Sequence, residues 1–185
     1  TTCIKKSAMK INQIDDEITR QISLLDKEIE KMEFENVDFE FYISESEKYF
    51  KKEALDFQGI YLIEIENKTP NFKKWIKEFS IKWENKKFHN RPRVRKKSVE
   101  NLTLTDNWIP LYIGKSKKVG NRLFEHLFLE NNKSTYALKL SDKKFLKNEK
   151  IRIKTIQIEV ENYDQIVPHI ESKMRDKIKP IVGKQ

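Results

Sequence analysis

The chain has 185 residues, room for one domain or one domain with an appendage. Its 37% hydrophobic and 36% charged residues, with 11 Phe, 6 Tyr and 3 Trp against only 4 Gly and 5 Pro, exclude collagenous, low-complexity and disordered chains. A lone cysteine, Cys3, excludes an intrachain disulfide and a thiolate zinc site, and no apolar run approaches the roughly 18–20 residues of a membrane helix. The first stretch is polar and charged and does not read as a signal peptide, so cytoplasm is the expected compartment. Net charge is +9, unevenly spread: residues 1–57 hold 9 basic and 14 acidic side chains, residues 58–109 hold 12 and 6, and residues 110–185 hold 17 and 9. An acidic first third before a basic remainder favours a polyanionic partner, of which nucleic acid is the commonest.

Residues 10–33 place Ile11, Ile14, Ile18, Ile22, Leu25, Ile29 and Met32 at three- and four-residue steps, which predicts an amphipathic helix with a heptad-like seam. It suits either a short coiled coil between subunits or a helix lying along its own domain. SESEKYFKKEAL (44–55) predicts a second helix capped by Ser44 or Ser46. GIYLIEI (59–65), rich in β-branched and aromatic residues, predicts a strand. Residues 67–107 are polar and basic. They place Trp75 and Trp83 two helical turns apart, as insertion core, and Pro92 keeps RPRVRKKS (91–98) from being a helix interior.

WIPLYIG (108–114) predicts a strand whose early Pro110 suits an edge, and VGNRLFEHLFLE (119–130) a helix with Leu123 and Leu127 packing at i, i+4. IRIKTIQIEV (151–160) is the third strand; its apolar phase switches between Ile153 and Ile156, the sign of a bulge or of burial on both faces. The last helix begins near residue 163, with Asp164 as N-cap, Ile166, Ile170, Met174 and Ile178 as buried stripe, and Pro168 in the first turn. The expected fold is α+β: a small antiparallel sheet with a three-stranded core, flanked by helices. Residues 1–56 form an N-terminal helical extension, for dimerisation or DNA contact, and residues 57–185 a second domain interrupted by the basic insertion 67–107.

Several chemistry-bearing residues fall in order along these elements. The first strand holds Gly59-Ile60-Tyr61, and the second holds Tyr112-Ile113-Gly114 followed by Lys115. Arg122 comes ten residues after Tyr112, His126 one helical turn after Arg122, and Glu171 sits on the last helix ahead of a Pro-Ile-Val-Gly terminus. Over residues 57–185 this ordered set resembles the GIY-YIG nuclease family. The spelling PLYIGK, the N-terminal extension and the long insertion look most like its restriction endonucleases. Two features depart from the family pattern. Tyr61 and Tyr112 lie 51 positions apart instead of across a short hairpin, and Gly183 stands where members often carry Asn.

The residue types suit phosphodiester hydrolysis, which needs a nucleophilic water, a counter-charge and protonation of the leaving oxygen. Glu171 is a hard oxygen ligand able to hold one Mg²⁺, with Mn²⁺ substituting. Arg122 offers a charged planar fork matched to phosphate oxygens. A tyrosine near pKa 10 is a poor base at neutral pH unless a cation or imidazole helps it, and His126 and Lys115 are the available helpers.

The resemblance implies that Tyr61 positions or deprotonates the attacking water and that Tyr112 braces the phosphate. It also implies that a single metal stabilises the leaving 3′ oxygen. Taken singly, each residue has an ordinary use: Glu171 could pair with Arg175, the tyrosines could be strand aromatics, and His89 and His169 suit structural roles. The cations Arg91, Arg93, Arg95, Lys96 and Lys97, with Lys117 and Lys118, are the expected DNA contacts. The expectation is a homodimeric, Mg²⁺-dependent, restriction-type endonuclease acting on double-stranded DNA without a membrane partner. The alternatives are a structure-specific repair, recombination or mobile-element nuclease, and a DNA-binding module of the same fold that does not cleave.

Overall fold

Seven consecutive buried residues, Gly59 to Ile65, make β2 (Gly59–Glu66) the centre of the sheet, since a strand covered on both faces cannot alternate polar with apolar. In the computed structural model, which describes residues 2–85, 90–104 and 106–184 with side chains from residue 10 onward, the chain forms two units, 1–33 and 34–185. The first is the helix α1 (Thr2–Lys31), longer than the predicted 10–33 at its N-terminal end.

The second unit is α+β. Its sheet has four strands in the order β1–β5–β2–β4, all antiparallel, formed by β1 (Phe39–Tyr42), β2, β4 (Trp108–Ser116) and β5 (Lys150–Gln157). The expected three strands are present, and β1 is a fourth. It pairs Phe39 with Ile153 and Phe41 with Ile151, so residues 34–56, read from sequence as part of the extension, belong to the sheet-bearing unit. Residues 44–55 are not one helix. Phe50 and Lys51 are extended (ψ 125° and 100°) and separate α2 (Ser46–Tyr49) from a single 3₁₀ turn at Lys52–Leu55. Neither Ser44 nor Ser46 caps; the buried Ser46 hydroxyl instead donates back to the Ile43 carbonyl at 2.8 Å.

β4 is the edge strand, as Pro110 implied. Ile63 lies opposite Tyr112 and Glu64 opposite Pro110, so Leu111 is an extra residue that bulges β4. Of the two readings of β5, the bulge is absent: its register against β2 runs unbroken from Ile151 to Gln157, and both faces are covered in part, with Ile151 and Ile153 buried and Arg152, Lys154 and Ile156 half-buried. One apolar cluster joins Tyr61, Ile63 and Ile65 to Val119, Leu123 and Leu127 of α5 (Val119–Phe128).

In the insertion, α3 (Phe72–Trp83) stacks Trp75 on Phe79 and Phe79 on Trp83, with ring centroids 5.2 and 5.3 Å apart and Trp83 fully buried. Trp83 is therefore core, and Trp75 is partly buried against it. The segment after Pro92 splits into β3 (Arg93–Val94) and α4 (Lys96–Glu100). β3 pairs with β6 (Val182–Gly183) at the C-terminal end of the chain, and Ile181 bridges Arg95 to the Pro110 carbonyl, so insertion, C-terminus and β4 are laced together. α6 (Tyr163–Ile178) buries Tyr163, Val167, Ile170 and Met174 and lies against β4 and β2. Asn162, not Asp164, is its N-cap, and Pro168 falls in the second turn, not the first.

Candidate active site

Gly114 explains why a strand would carry Tyr-Ile-Gly opposite Gly-Ile-Tyr. It is the cross-strand partner of Tyr61, whose ring lies over it: a Cβ on Gly114 would meet the Tyr61 hydroxyl at 2.4 Å and its Cζ at 2.6 Å. Gly59 is equally constrained, since a Cβ there would sit 2.1 Å from the Ile156 carbonyl oxygen of β5. The two glycines thus let three strands approach closely while a large phenol crosses one of them.

Tyr61, Tyr112 and His126 form a compact triangle. Their ring centroids are 6.2 Å (Tyr61–Tyr112), 5.6 Å (Tyr61–His126) and 4.9 Å (Tyr112–His126) apart. His126 is fully buried on α5, and its Nε2 lies 2.7 Å from the Tyr61 hydroxyl. The Leu138 backbone N–H donates to His126 Nδ1 at 3.0 Å. Burial first, and then the Arg122 guanidinium, hold His126 well below its usual pKa, so the ring is neutral. With Nδ1 accepting, the single proton of a neutral imidazole resides on Nε2 and is donated to Tyr61. The Tyr61 hydroxyl consequently keeps its own proton to donate elsewhere.

Burial also pushes both phenols up. Tyr61 is raised well above 10, by desolvation and then by Tyr112, with Arg122 acting in the opposite sense. Tyr112 is pushed up to about 12 by desolvation, Arg122 again opposing and Glu171 reinforcing. Lys115 gives no help: it pairs with Ile60, one residue out of phase with Tyr61, so it leaves the sheet on the other face. A phenolate at neutral pH is therefore disfavoured at both positions.

Arg122 is a half-buried member of the group. Its Nη1 pairs with Glu125 and its Nη2 donates to the Tyr136 carbonyl at 2.6 Å, leaving other N–H groups of the five-donor fork for a ligand. Glu171, on α6, is close enough to both phenols for its charge to raise them. Its Oε1 accepts from Arg175 Nη1 at 2.7 Å, the i, i+4 pair foreseen as its ordinary use, but the pair is largely buried, with 17% and 14% of the side chains exposed. No group of three His, Cys, Asp or Glu side chains that could hold a metal ion occurs among the described residues. Glu171 is thus a one-carboxylate donor whose Oε2 could serve a Mg²⁺ that keeps most of its ligands as water and substrate oxygen, an arrangement normal for that ion.

No protein-family model matches the chain, and neither a curated protein nor a solved structure does. The site therefore stands on its own geometry.

The expected DNA contacts divide. Arg91 is buried, donating from Nε to the Trp83 carbonyl at 2.7 Å and from Nη2 to Glu84 at 3.3 Å, so it braces the insertion and does not face solvent. Arg95 is half-buried against the Pro180 carbonyl. Arg93, paired with Glu84 at 2.9 Å, is exposed, as are Lys96, Lys97 and Lys118, and Lys117 reaches Asp164 at 2.7 Å. His169 is half-buried, and His89 lies outside the described residues. Gly183 sits at φ 149°, a backbone that side-chain-bearing residues rarely adopt, so an Asn at this position would be strained.

Two features escaped the sequence. The segment 129–143 carries no periodicity, yet it supplies the Leu138 N–H to His126 and the Tyr136 carbonyl to Arg122. It is fixed from inside by lysines: Lys143 donates to the Leu138 carbonyl at 2.5 Å and lies 4.9 Å from the Trp83 ring centroid, and Lys139 donates to the Lys133 carbonyl at 2.6 Å. The other is Tyr163, whose buried hydroxyl has no hydrogen-bond partner among the described residues. Burial, then Asp164 and Glu171, raise it to about 12.

Proposed function

We propose that the chain is a metal-dependent endonuclease that hydrolyses phosphodiester bonds of double-stranded DNA, related to the GIY-YIG nucleases and working as a restriction-type enzyme. The reading rests on one observation: Tyr61 of β2, Tyr112 of β4, and Arg122 and His126 of α5 meet around a single point that also feels the charge of Glu171. The excess of cations over acids across residues 58–185 supplies the field a DNA ligand needs.

In this reading the remaining N–H groups of Arg122 hold the scissile phosphate and offset its developing charge. Tyr112 hydrogen-bonds a phosphate oxygen. Tyr61, receiving the His126 proton donor, turns its own O–H outward to fix the attacking water or a phosphate oxygen, and it remains protonated while doing so. Glu171 would hold Mg²⁺ or Mn²⁺, which when bound would stabilise the leaving 3′ oxygen. Arg93, Lys96, Lys97, Lys117 and Lys118 contact the backbone; Arg91 and Arg95 support the segment that carries three of them.

A second reading, a DNA-binding module that does not cleave, is favoured by the burial of Tyr61 (1% exposed) and by the Arg175 pair on Glu171. Digestion of plasmid and phage DNA with Mg²⁺ or Mn²⁺, against EDTA controls and Glu171→Ala and Arg122→Ala variants, tests both. Metal-dependent cutting lost in the variants supports the nuclease. A gel shift without cutting supports the module, and cutting confined to nicked, flapped or branched DNA would reassign the substrate.

A further inference from the structure

We propose that α1 is a self-association element in which two copies of the chain pair their helices antiparallel. This inference does not depend on the nuclease reading. Along α1 the large apolar side chains Ile11, Ile14, Ile18 and Ile22, which share one face, are 63%, 59%, 52% and 44% exposed. An apolar stripe of that length left in water marks a contact surface, because isolated exposed apolar residues are common but contiguous ones at helical spacing are not.

The occupant follows from phase and charge. Counting Ile18 and Leu25 as d positions and Ile22 as a, the seam reads Ile11 (d), Asp15 (a), Ile18 (d), Ile22 (a), Leu25 (d). A parallel pair would set Asp15 against Asp15 of the second copy inside the seam, carboxylate to carboxylate, which is repulsive. An antiparallel pair matches a with d layers instead. Ile11 then meets Ile22 of the second copy, Asp15 meets Ile18, and the two carboxylates lie on opposite sides of the dyad.

The charge distribution agrees. Before Asp15 the sequence has three lysines and no acid, whereas residues 15–31 hold six acids and three bases. Antiparallel pairing lays the basic half of each helix over the acidic half of the other, while parallel pairing stacks like on like. The net negative charge of residues 15–31, which carry Ile18 and Ile22, argues against an anionic lipid surface as the occupant.

The test uses the full chain in sedimentation and light scattering over a concentration series. The proposal expects a mass of twice 22.3 kDa that falls to one chain for Ile18→Glu/Ile22→Glu with an unchanged urea transition for the sheet-bearing unit. Orientation is read by disulfide trapping in a Cys3→Ser background. A mixture of the Ile11→Cys and Ile22→Cys chains should cross-link to each other several-fold faster than either does to itself. A monomer at all concentrations overturns the proposal, whether or not it binds lipid vesicles. So does a dimer that survives the double glutamate variant, and faster like-with-like cross-linking overturns the antiparallel arrangement.

Discussion

Gly114→Ala is the sharpest perturbation of the site, because the structure sets its cost almost atom by atom. The added methyl would stand 2.4 Å from the Tyr61 hydroxyl, 2.6 Å from its Cζ and 2.9 Å from Tyr112 Cε1, where ordinary contact is about 3.5–4 Å. The Tyr61 ring must therefore retreat by roughly 1 Å, more than its 2.7 Å bond to His126 can stretch and survive. Overpacking costs about 1–3 kcal/mol, and leaving the buried imidazole and phenol unpaired adds about 1–3 kcal/mol. The ordinary gain of Ala over Gly in a strand returns only about 0.5–1 kcal/mol.

The net expectation is a loss of about 3 kcal/mol, which for a unit of this size is a fall of very roughly 6–12 °C in Tm. Urea denaturation and calorimetry read it. Combining the change with Tyr61→Phe removes the nearest atom but not the ring carbon at 2.6 Å, so the double variant should recover part of the loss. A Gly114→Ala protein within about 0.5 kcal/mol of the parent would refute the packing argument.

Three further outcomes follow from the buried groups. His126, held well below 6.5 by burial and Arg122, contributes stability that is complete above pH 6.5. That stability is lost as acid protonates the unfolded chain first, at up to about 1.4 kcal/mol per pH unit. ¹⁵N spectra should show a neutral ring protonated on Nε2 throughout that range, and a titration midpoint near 6.5 would contradict the assignment. Lys143, pushed down to about 7 by burial and by the cations of Arg91 and Lys139, binds its proton less tightly folded than unfolded. Stability should therefore rise from about pH 7 until the raised Tyr61 and Tyr112 phenols reverse the trend above pH 10, and Lys143→Met should flatten the rise. Gly183→Asn, which introduces the residue that GIY-YIG nucleases often carry, should cost about 1–3 kcal/mol because of the positive φ, and should not raise activity. A gain in both would show that the C-terminal backbone adapts.

What was legible in the sequence was what burial and close packing impose on residue type. β2, β4 and β5 announced themselves through β-branched runs, α3 through the two-turn spacing of Trp75 and Trp83, and α5 and α6 through their apolar stripes. β1 was not legible, being four residues in an acidic stretch whose pairing with β5 lies more than a hundred positions away. The 44–55 segment looked helical because composition hides the extended Phe50 and Lys51. Positive charge proved ambiguous at Arg91, Lys139 and Lys143, since a cation bonded to internal carbonyls has the same spelling as one facing water. The site's phenols, imidazole and guanidinium were singled out by the resemblance of the ordered motifs to the GIY-YIG nucleases, and the fold brings them together. The backbone groups of Leu138 and Tyr136 that orient them were not, because any residue type supplies a peptide group.

The most direct trial of the account is the initial rate at which the purified 185-residue chain nicks or linearises supercoiled plasmid in Mg²⁺, measured beside Glu171→Gln. The parent should cut and stop on addition of EDTA. The variant should fold to the same structure, with a melting temperature lowered only by the loss of the Arg175 ion pair, bind DNA equally well, and cut at least about a hundredfold more slowly. Equal rates in the two proteins, or a well-folded parent that leaves the plasmid intact with both Mg²⁺ and Mn²⁺, would contradict it.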